Sequence, residues 1–139
     1  MAKDLYHQLV RDALEKDGWT ITHDPYVIRK KHLGTKLEID LGLEKVITAE
    51  KGVEKIAVEV KSFLEDSLIH EFHAVVGQYL HYIIGLSIID VERILYLAMP
   101  HDVYLDLEKI ELFNLSIEKF SVKILTFDTQ TANIISWKK

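Results

Sequence analysis

The chain contains no cysteine in its 139 residues. That absence excludes disulfides, thiolate catalysis and cysteine-based zinc sites, and it suits a reducing compartment, so a cytoplasmic location is expected. Proline is scarce at two residues and glycine modest at six, which excludes collagen-like and low-complexity architectures. No internal repeat is visible. No secretory signal opens the chain, because Met1-Ala2-Lys3-Asp4 leads into a charged amphipathic stretch and not into an apolar run. The longest stretch without Asp, Glu, Lys or Arg runs from Phe72 to Ile89. It approaches membrane-spanning length, yet His73, Gln78 and His81 interrupt it and its apolar residues keep to one face, which predicts a buried helix and no membrane partner. Positive charge is not in excess either. A net charge of −5 gives no general basic surface for nucleic acid.

What is present is an ordinary globular composition, 48% hydrophobic and 28% charged, of a length that predicts one domain over residues 1–139. Leu5, Leu9 and Ala13 with Tyr6, Val10 and Leu14 recur at helical spacing, predicting an amphipathic helix over 3–17 that Gly18 stops. From Tyr26 to Phe63 the pattern alternates, which is the grammar of strands, with Lys51-Gly52 as a turn; a three-stranded meander is expected. Asp66-Ser67 is placed to cap a long helix reaching about Ile89, with Leu68, Phe72, Val75, Val76, Tyr79, Leu80 and Ile83 as its apolar stripe. Arg93 to Met99 reads as a buried strand ended by Pro100. A shorter helix near 102–110, with Asp102 as a possible cap, precedes two strands, Ser121 to Phe127 and Thr131 to Trp137, joined by a turn at Thr129-Gln130. The α-β-β-β-α-β order predicts an α/β fold with a central mixed sheet flanked by helices.

Asp40 and Glu59 fall on neighbouring predicted strands. With Lys51-Gly52 as a two-residue hairpin turn, Glu50 pairs with Val53 and Asp40 opposes Phe63, so strand parity puts Asp40 on the same face as Glu59 and Lys61. That register also leaves Asp40 about 13 Å out of line with Glu59, too far for one metal ion, and requires a bend or bulge near Gly42. The residue types suit a hard cation such as Mg²⁺ or Mn²⁺, with Asp40, Glu59 and the main-chain carbonyl of Val60 as oxygen ligands. Such an ion acidifies a bound water and neutralises a scissile phosphate, and Lys61 could orient the nucleophile or stabilise developing charge. The plain alternative is a charged strand edge, but the flanking residues Ile56, Ala57, Val58, Val60 and Phe63 suit a central strand, where buried charges need a partner.

On the following helix, taken at about 100° per residue, Glu71, Ala74, Tyr82 and Gly85 fall within about 40° of Gln78, with His70 and His81 slightly further round. This polar, small-residue stripe could face a substrate beside the acids; otherwise it is a solvated helix face. His70 and His73 diverge in direction and lack a third ligand, so a zinc site is not expected. Glu15 and Asp12 are weaker candidates for an extra carboxylate. Arg29-Lys30-Lys31-His32 with Lys36 could meet phosphates or could simply be a solvated strand end. There is no Gly-rich phosphate loop and no nucleophile elbow.

Ile39-Asp40 followed by Ile56-Ala57-Val58-Glu59-Val60-Lys61 resembles the signature of the PD-(D/E)XK nuclease superfamily, and Gln78-Tyr79-Leu80-His81-Tyr82 resembles the Q-x-x-x-Y motif of its RecB-like members. Ile39 stands where the superfamily name has proline. Nearly the whole chain further resembles the XisH family, the fdxN element excision controlling factors of cyanobacteria. That likeness is carried by Ala2-Lys3-Asp4 with His7, Gly18-Trp19-Thr20-Ile21-Thr22-His23-Asp24-Pro25, Ile39-Asp40-Leu41-Gly42, Ala49-Glu50-Lys51, Glu59-Val60-Lys61-Ser62-Phe63, and Glu71-Phe72-His73 followed by Gly77-Gln78.

The resemblance implies a restriction-endonuclease-like fold and a part in programmed DNA excision during heterocyst development, beside a small companion of the XisI family, with the excision itself attributed to a separate recombinase. The site it implies has Asp40 and Glu59 as Mg²⁺ or Mn²⁺ ligands, Lys61 as base or charge stabiliser, and Gln78 and Tyr82 as substrate-positioning groups, with DNA as the partner and self-association possible. The alternatives are a catalytically silent regulatory module acting through the companion protein, and a nuclease-like toxin or defence component using the same site.

Overall fold

A computed structural model describes residues 4–139. Lys3, the expected first helical residue, lies outside that range, as do Met1 and Ala2. The first helix, α1 (His7–Lys16), follows a turn at Leu5 and Tyr6 and buries His7, Val10, Ala13 and Leu14 on one side. Gly18, at φ +95°, then breaks the helix where other residues would be strained.

Five strands follow where three were expected: β1 (Thr20–His23), β2 (Tyr26–Arg29), β3 (Lys36–Ile39), β4 (Leu41–Thr48) and β5 (Gly52–Val60). They do not form one meander. β1, β4 and β5 join a six-stranded mixed sheet, while β2 and β3 pair only with each other. Alternation alone cannot tell these cases apart, because a strand buries one face whichever sheet it joins.

The helix α2 (Leu68–Ile89) is capped by Ser67, whose hydroxyl accepts from the His70 N–H at 3.2 Å. Strand β6 (Ile94–Pro100) then runs parallel to β5. The single helix expected near 102–110 is two, α3 (His101–Leu107) and α4 (Glu111–Phe120). No side chain caps α3 at its N-cap, Pro100, and Asp102 instead accepts from the adjacent Val103 N–H at 3.0 Å. The chain ends in β7 (Ile124–Phe127) and β8 (Ile134–Lys138), giving the sheet order β1-β4-β5-β6-β7-β8. Between them the Asp128 carboxylate accepts from the Gln130 and Thr131 N–H groups at 2.8 and 3.4 Å, which builds the expected turn.

Two apolar layers hold the sheet. On one face Val10, Leu14 and Trp19 pack on Leu41, Leu43, Ile56, Val58 and Tyr96. On the other, α2, α3, α4 and the β2–β3 hairpin meet Ala57, Leu95, Leu97 and Ile124. Each fully buried Leu or Ile contributes on the order of 1.5–3 kcal/mol, so the layers fix the strand order. By length and composition alone α2 could cross a membrane; here Phe72, Val75, Tyr79 and Leu86 are buried in the second layer. Tyr82 and Gly85 are buried too, although helical spacing put them on the polar stripe. The cause is the β2–β3 hairpin, since a Cβ on Gly85 would stand 2.9 Å from both Ile28 and Leu37.

Candidate metal and substrate site

The β4–β5 hairpin sets the site, and its register differs from the expected one. Thr48 pairs with Gly52 and Leu41 with Val58, so the loop spans three residues. Gly52 at φ +78° closes it in the left-handed region, beside a register irregularity between Val46 and Thr48. The Thr48 hydroxyl accepts from the Lys51 N–H at 2.8 Å within the loop. Three-residue hairpin loops favour this glycine-plus-bulge geometry. Relative to a two-residue turn, the strands slide by four residues, about 13 Å. No bend at Gly42 is needed: Gly42 pairs regularly with Ala57.

Asp40, at the joint between β3 and β4, therefore faces Glu59. The Asp40 N–H donates to Glu59 Oε1 at 3.1 Å, and the Val60 N–H donates to Asp40 Oδ2 at 2.8 Å. Lys61 Nζ lies 3.7 Å from Glu59 Oε2, and the Lys61 N–H is fixed to the Ala98 carbonyl of β6 at 2.9 Å. The three motif residues and Val60 are thus together at the C-terminal end of β5.

The electrostatics of the pair are unbalanced. Glu59 is 6% exposed, and burial, then the charge of Asp40, pushes its carboxyl up to about 8. Burial also raises Asp40, against the hydrogen bond from Val60 and the nearby His7 and Lys61. One ammonium group does not offset a buried carboxyl and a partly buried one beside it, and both acids would gain from a cation.

A further residue meets the pair from α1. His7 is 4% exposed, its Nε2 lies 2.8 Å from Asp24 Oδ1, and its Nδ1, 4.0 Å from Asp40 Oδ1, has no hydrogen-bond partner among the described residues. A carboxylate only accepts, so Nε2 donates to Asp24 and Nδ1 is the ring nitrogen turned toward Asp40. Asp24 is also paired with Arg11. The available signal for His7 was a histidine on the buried stripe of α1. Glu15 and Asp12 are exposed, and Asp12 accepts from Gln8 at 2.9 Å. His70 and His73 are exposed as well. Among the described residues no three His, Asp or Glu side chains form a ready cage for a metal ion; a pair of carboxylates with carbonyl and water oxygens is the donor set of a hard cation that keeps much of its hydration.

Beside the acids lies a cleft of about 520 Å³ lined by Asp4, Lys61, Ser62, Glu71, Ala74 and Gln78 among others. Lys61 lines it and connects it to the acid pair, while Asp40 and Glu59 are not in its lining. Asp4 secures the rim by accepting from the Ser62 N–H at 2.9 Å. A second hollow of about 490 Å³, with Lys36, Glu38, Gly77, His81 and Tyr82 in its lining, shares Ala74 and Gln78 with the first. Gln78 therefore sits where the two meet. Tyr82 does not expose its hydroxyl to a substrate: it is 4% exposed and donates to the Glu38 carbonyl at 2.6 Å, two residues from Asp40.

A model of the XisH protein family matches residues 1–135. No curated protein matches the chain. Among solved structures, the chain is similar to an XisH family protein from Nostoc punctiforme PCC 73102, with 40% identity, a TM-score of 0.86, and coverage of 98% of this chain and 100% of that one. It is also similar to a fdxN element excision controlling factor protein from Anabaena variabilis, at 37% identity and a TM-score of 0.85, over 96% of this chain and 98% of that one.

Proposed function

The chain belongs to the XisH family, and we propose that it acts in the controlled excision of a DNA element as a divalent-metal-dependent, endonuclease-like protein of the PD-(D/E)XK type. The excision role rests on the relative named a fdxN element excision controlling factor. The nuclease-like reading is carried by one observation, the directly opposed Asp40 and Glu59 joined by backbone hydrogen bonds with Lys61 Nζ 3.7 Å from Glu59.

Asp40, Glu59 and the Val60 carbonyl would hold Mg²⁺ or Mn²⁺, with His7 Nδ1 adjoining them. The fit is supported by the two under-compensated carboxylates and by His7 Nδ1, which has no hydrogen-bond partner among the described residues. When bound, the ion supplies an acidified water and neutralises phosphate charge. The remaining roles belong to the protein. Asp24 orients His7 as a carboxylate orients a ligating imidazole. Lys61, reaching the cleft, stabilises charge on a phosphate or orients the attacking oxygen. Gln78 hydrogen-bonds the substrate at the meeting of the two hollows, and Tyr82 holds the Glu38 carbonyl and so positions the strand leading to Asp40.

Purified protein incubated with supercoiled, linear and single-stranded DNA and Mg²⁺ or Mn²⁺ should cleave at least one form. Asp40→Asn, Glu59→Gln and Lys61→Ala should each lower the rate by on the order of 100-fold or more. Equal cleavage by wild type and all three variants identifies a contaminant and removes the catalytic assignment.

One observation favours a second reading, a silent module working through a protein such as an XisI-type companion or a second copy of itself. Ile83, Ile84, Ile88 and Val91 at the end of α2 are 41–78% exposed, more apolar surface in one place than a solvated helix end requires. Under this reading none of the DNA forms is cut at any metal concentration.

A further inference from the structure

We infer that the β2–β3 hairpin is an arm that grips the nucleic-acid backbone at a fixed distance from the acid pair, an inference that rests on the nuclease-like reading above. From Tyr26 to Leu37 the chain carries Arg29, Lys30, Lys31 and Lys36 and no acid, in a protein with 17 basic and 22 acidic residues. Without those four cations the rest of the molecule has 13 basic residues against 22 acidic and stands at −9. A solvated strand end normally mixes signs; this one is cationic on an acidic body.

The arm is firmly based and free at its tip. Tyr26, Ile28 and Ile39 are buried in the core, Ile28 and Leu37 close on Gly85, and the Tyr82 hydroxyl binds the Glu38 carbonyl. From Arg29 to His32 every residue is exposed. Lys36 is neutralised by Glu38 at 2.6 Å. Arg29, Lys30 and Lys31 form no ion pair among the described residues. Three cations are therefore free to release counterions from phosphates on contact.

Geometry then sets a spacing. Lys36 precedes Asp40 by four strand residues, about 13 Å, and Arg29 lies directly across from Lys36. Lys30 is still extended, about 16 Å from the acids on the same rise, and Lys31 opens a 3-10 turn, Lys31–Leu33, at the tip. With one phosphate per strand about every 3.4 Å along a duplex, the arm meets the backbone about four to five base pairs from the position facing Asp40 and Glu59. The hollow lined by Lys36, Gln78 and Tyr82 lies between the two.

The test is binding of a fluorescent duplex by the full chain in EDTA, where hydrolysis is off, across a salt series. Lys30→Ala with Lys31→Ala should weaken binding about tenfold or more near 0.1 M salt and reduce the salt slope by about two, one per phosphate contact. A control pair with the same charge change elsewhere, Lys51→Ala with Lys119→Ala, should bind like wild type. Equal losses in both pairs would mean a net-charge effect and overturn the arm, as would a wild type that binds no duplex at 50 mM salt. Cleavage measured in parallel separates the two readings. Arm-dependent binding by a protein that never cuts keeps the arm and sinks hydrolysis, whereas cutting with arm-independent binding does the reverse.

Discussion

The molecule buries two clusters of charged side chains, and they are built on opposite terms. Around Arg93, which is 6% exposed, the guanidinium donates to Asp90 at 2.9 Å and to the carbonyls of Ile56 and Leu43 at 2.8 and 3.3 Å, and it stacks 4.7 Å from the Tyr26 ring centre. Lys55 and the Tyr26 hydroxyl also donate to Asp90, at 3.2 and 3.0 Å. Burial pushes the Asp90 carboxyl up, but the hydrogen bonds from Arg93, Lys55 and Tyr26 outweigh it and hold it below its usual range. Around Asp40 and Glu59 the balance runs the other way: both carboxyls are raised, and among the described residues neither His7 Nδ1 nor the buried Glu71 Oε2 at the cleft has a hydrogen-bond partner. A structural cluster satisfies itself. The second is left under-compensated among the described residues, the kind of imbalance that clusters at functional sites.

The comparison breaks most visibly at Arg93. Arg93→Met should destabilise the protein by about 3–5 kcal/mol, because it leaves the Ile56 and Leu43 carbonyls without this donor and removes the guanidinium from Asp90, which keeps only Lys55 and Tyr26, and urea unfolding measures it. Glu59→Gln should do the opposite in EDTA. The folded Glu59 carboxyl keeps its proton to about 8, while its ordinary value is 4.5. Between those limits the folded state binds more protons than the unfolded chain, so stability falls as pH rises, by on the order of a few kcal/mol in total. In Glu59→Gln that decline should largely vanish, and unfolding midpoints at pH 5, 6.5 and 8 decide it. Tyr82→Phe should cost about 1–2 kcal/mol by leaving the Glu38 carbonyl without its donor, and should lower activity through misplacement of Asp40; thermal melts and cleavage rates are compared. Glu15→Gln and Asp12→Asn, both exposed on α1, should stay within about 0.5 kcal/mol of wild type and leave activity unchanged.

The motif residues were legible because their chemistry is local: Glu59 and Lys61 lie two apart on an apolar strand, and the parity of a two-residue turn put Asp40 on their face, a face it keeps because the three-residue loop is followed by the one-residue register shift between Val46 and Thr48. The register was not, because a glycine can occupy the centre of a two-residue turn or close a three-residue one, and only the second puts Asp40 opposite Glu59. His7 escaped because its meaning lies in contacts with Asp24 and Asp40 on other elements, while in its own helix it reads as one more buried position. The helix α4 packs Phe113 and Ile117 on the core but exposes Leu112, Leu115 and Phe120, so apolar residues on both faces obscure its stripe in the sequence. Tyr82 and Gly85 were placed correctly around the α2 axis, yet the layer covering them comes from a hairpin that leaves the main sheet.

The central claim is that Asp40 and Glu59 form a pair awaiting one divalent cation. Calorimetric titration of the metal-free protein with Mn²⁺ tests it most directly. Saturable binding of one ion per chain, abolished by Asp40→Asn and by Glu59→Gln but kept in Lys61→Ala, is the result expected. No saturable binding to the wild type, or binding unchanged in both acid variants, would contradict it.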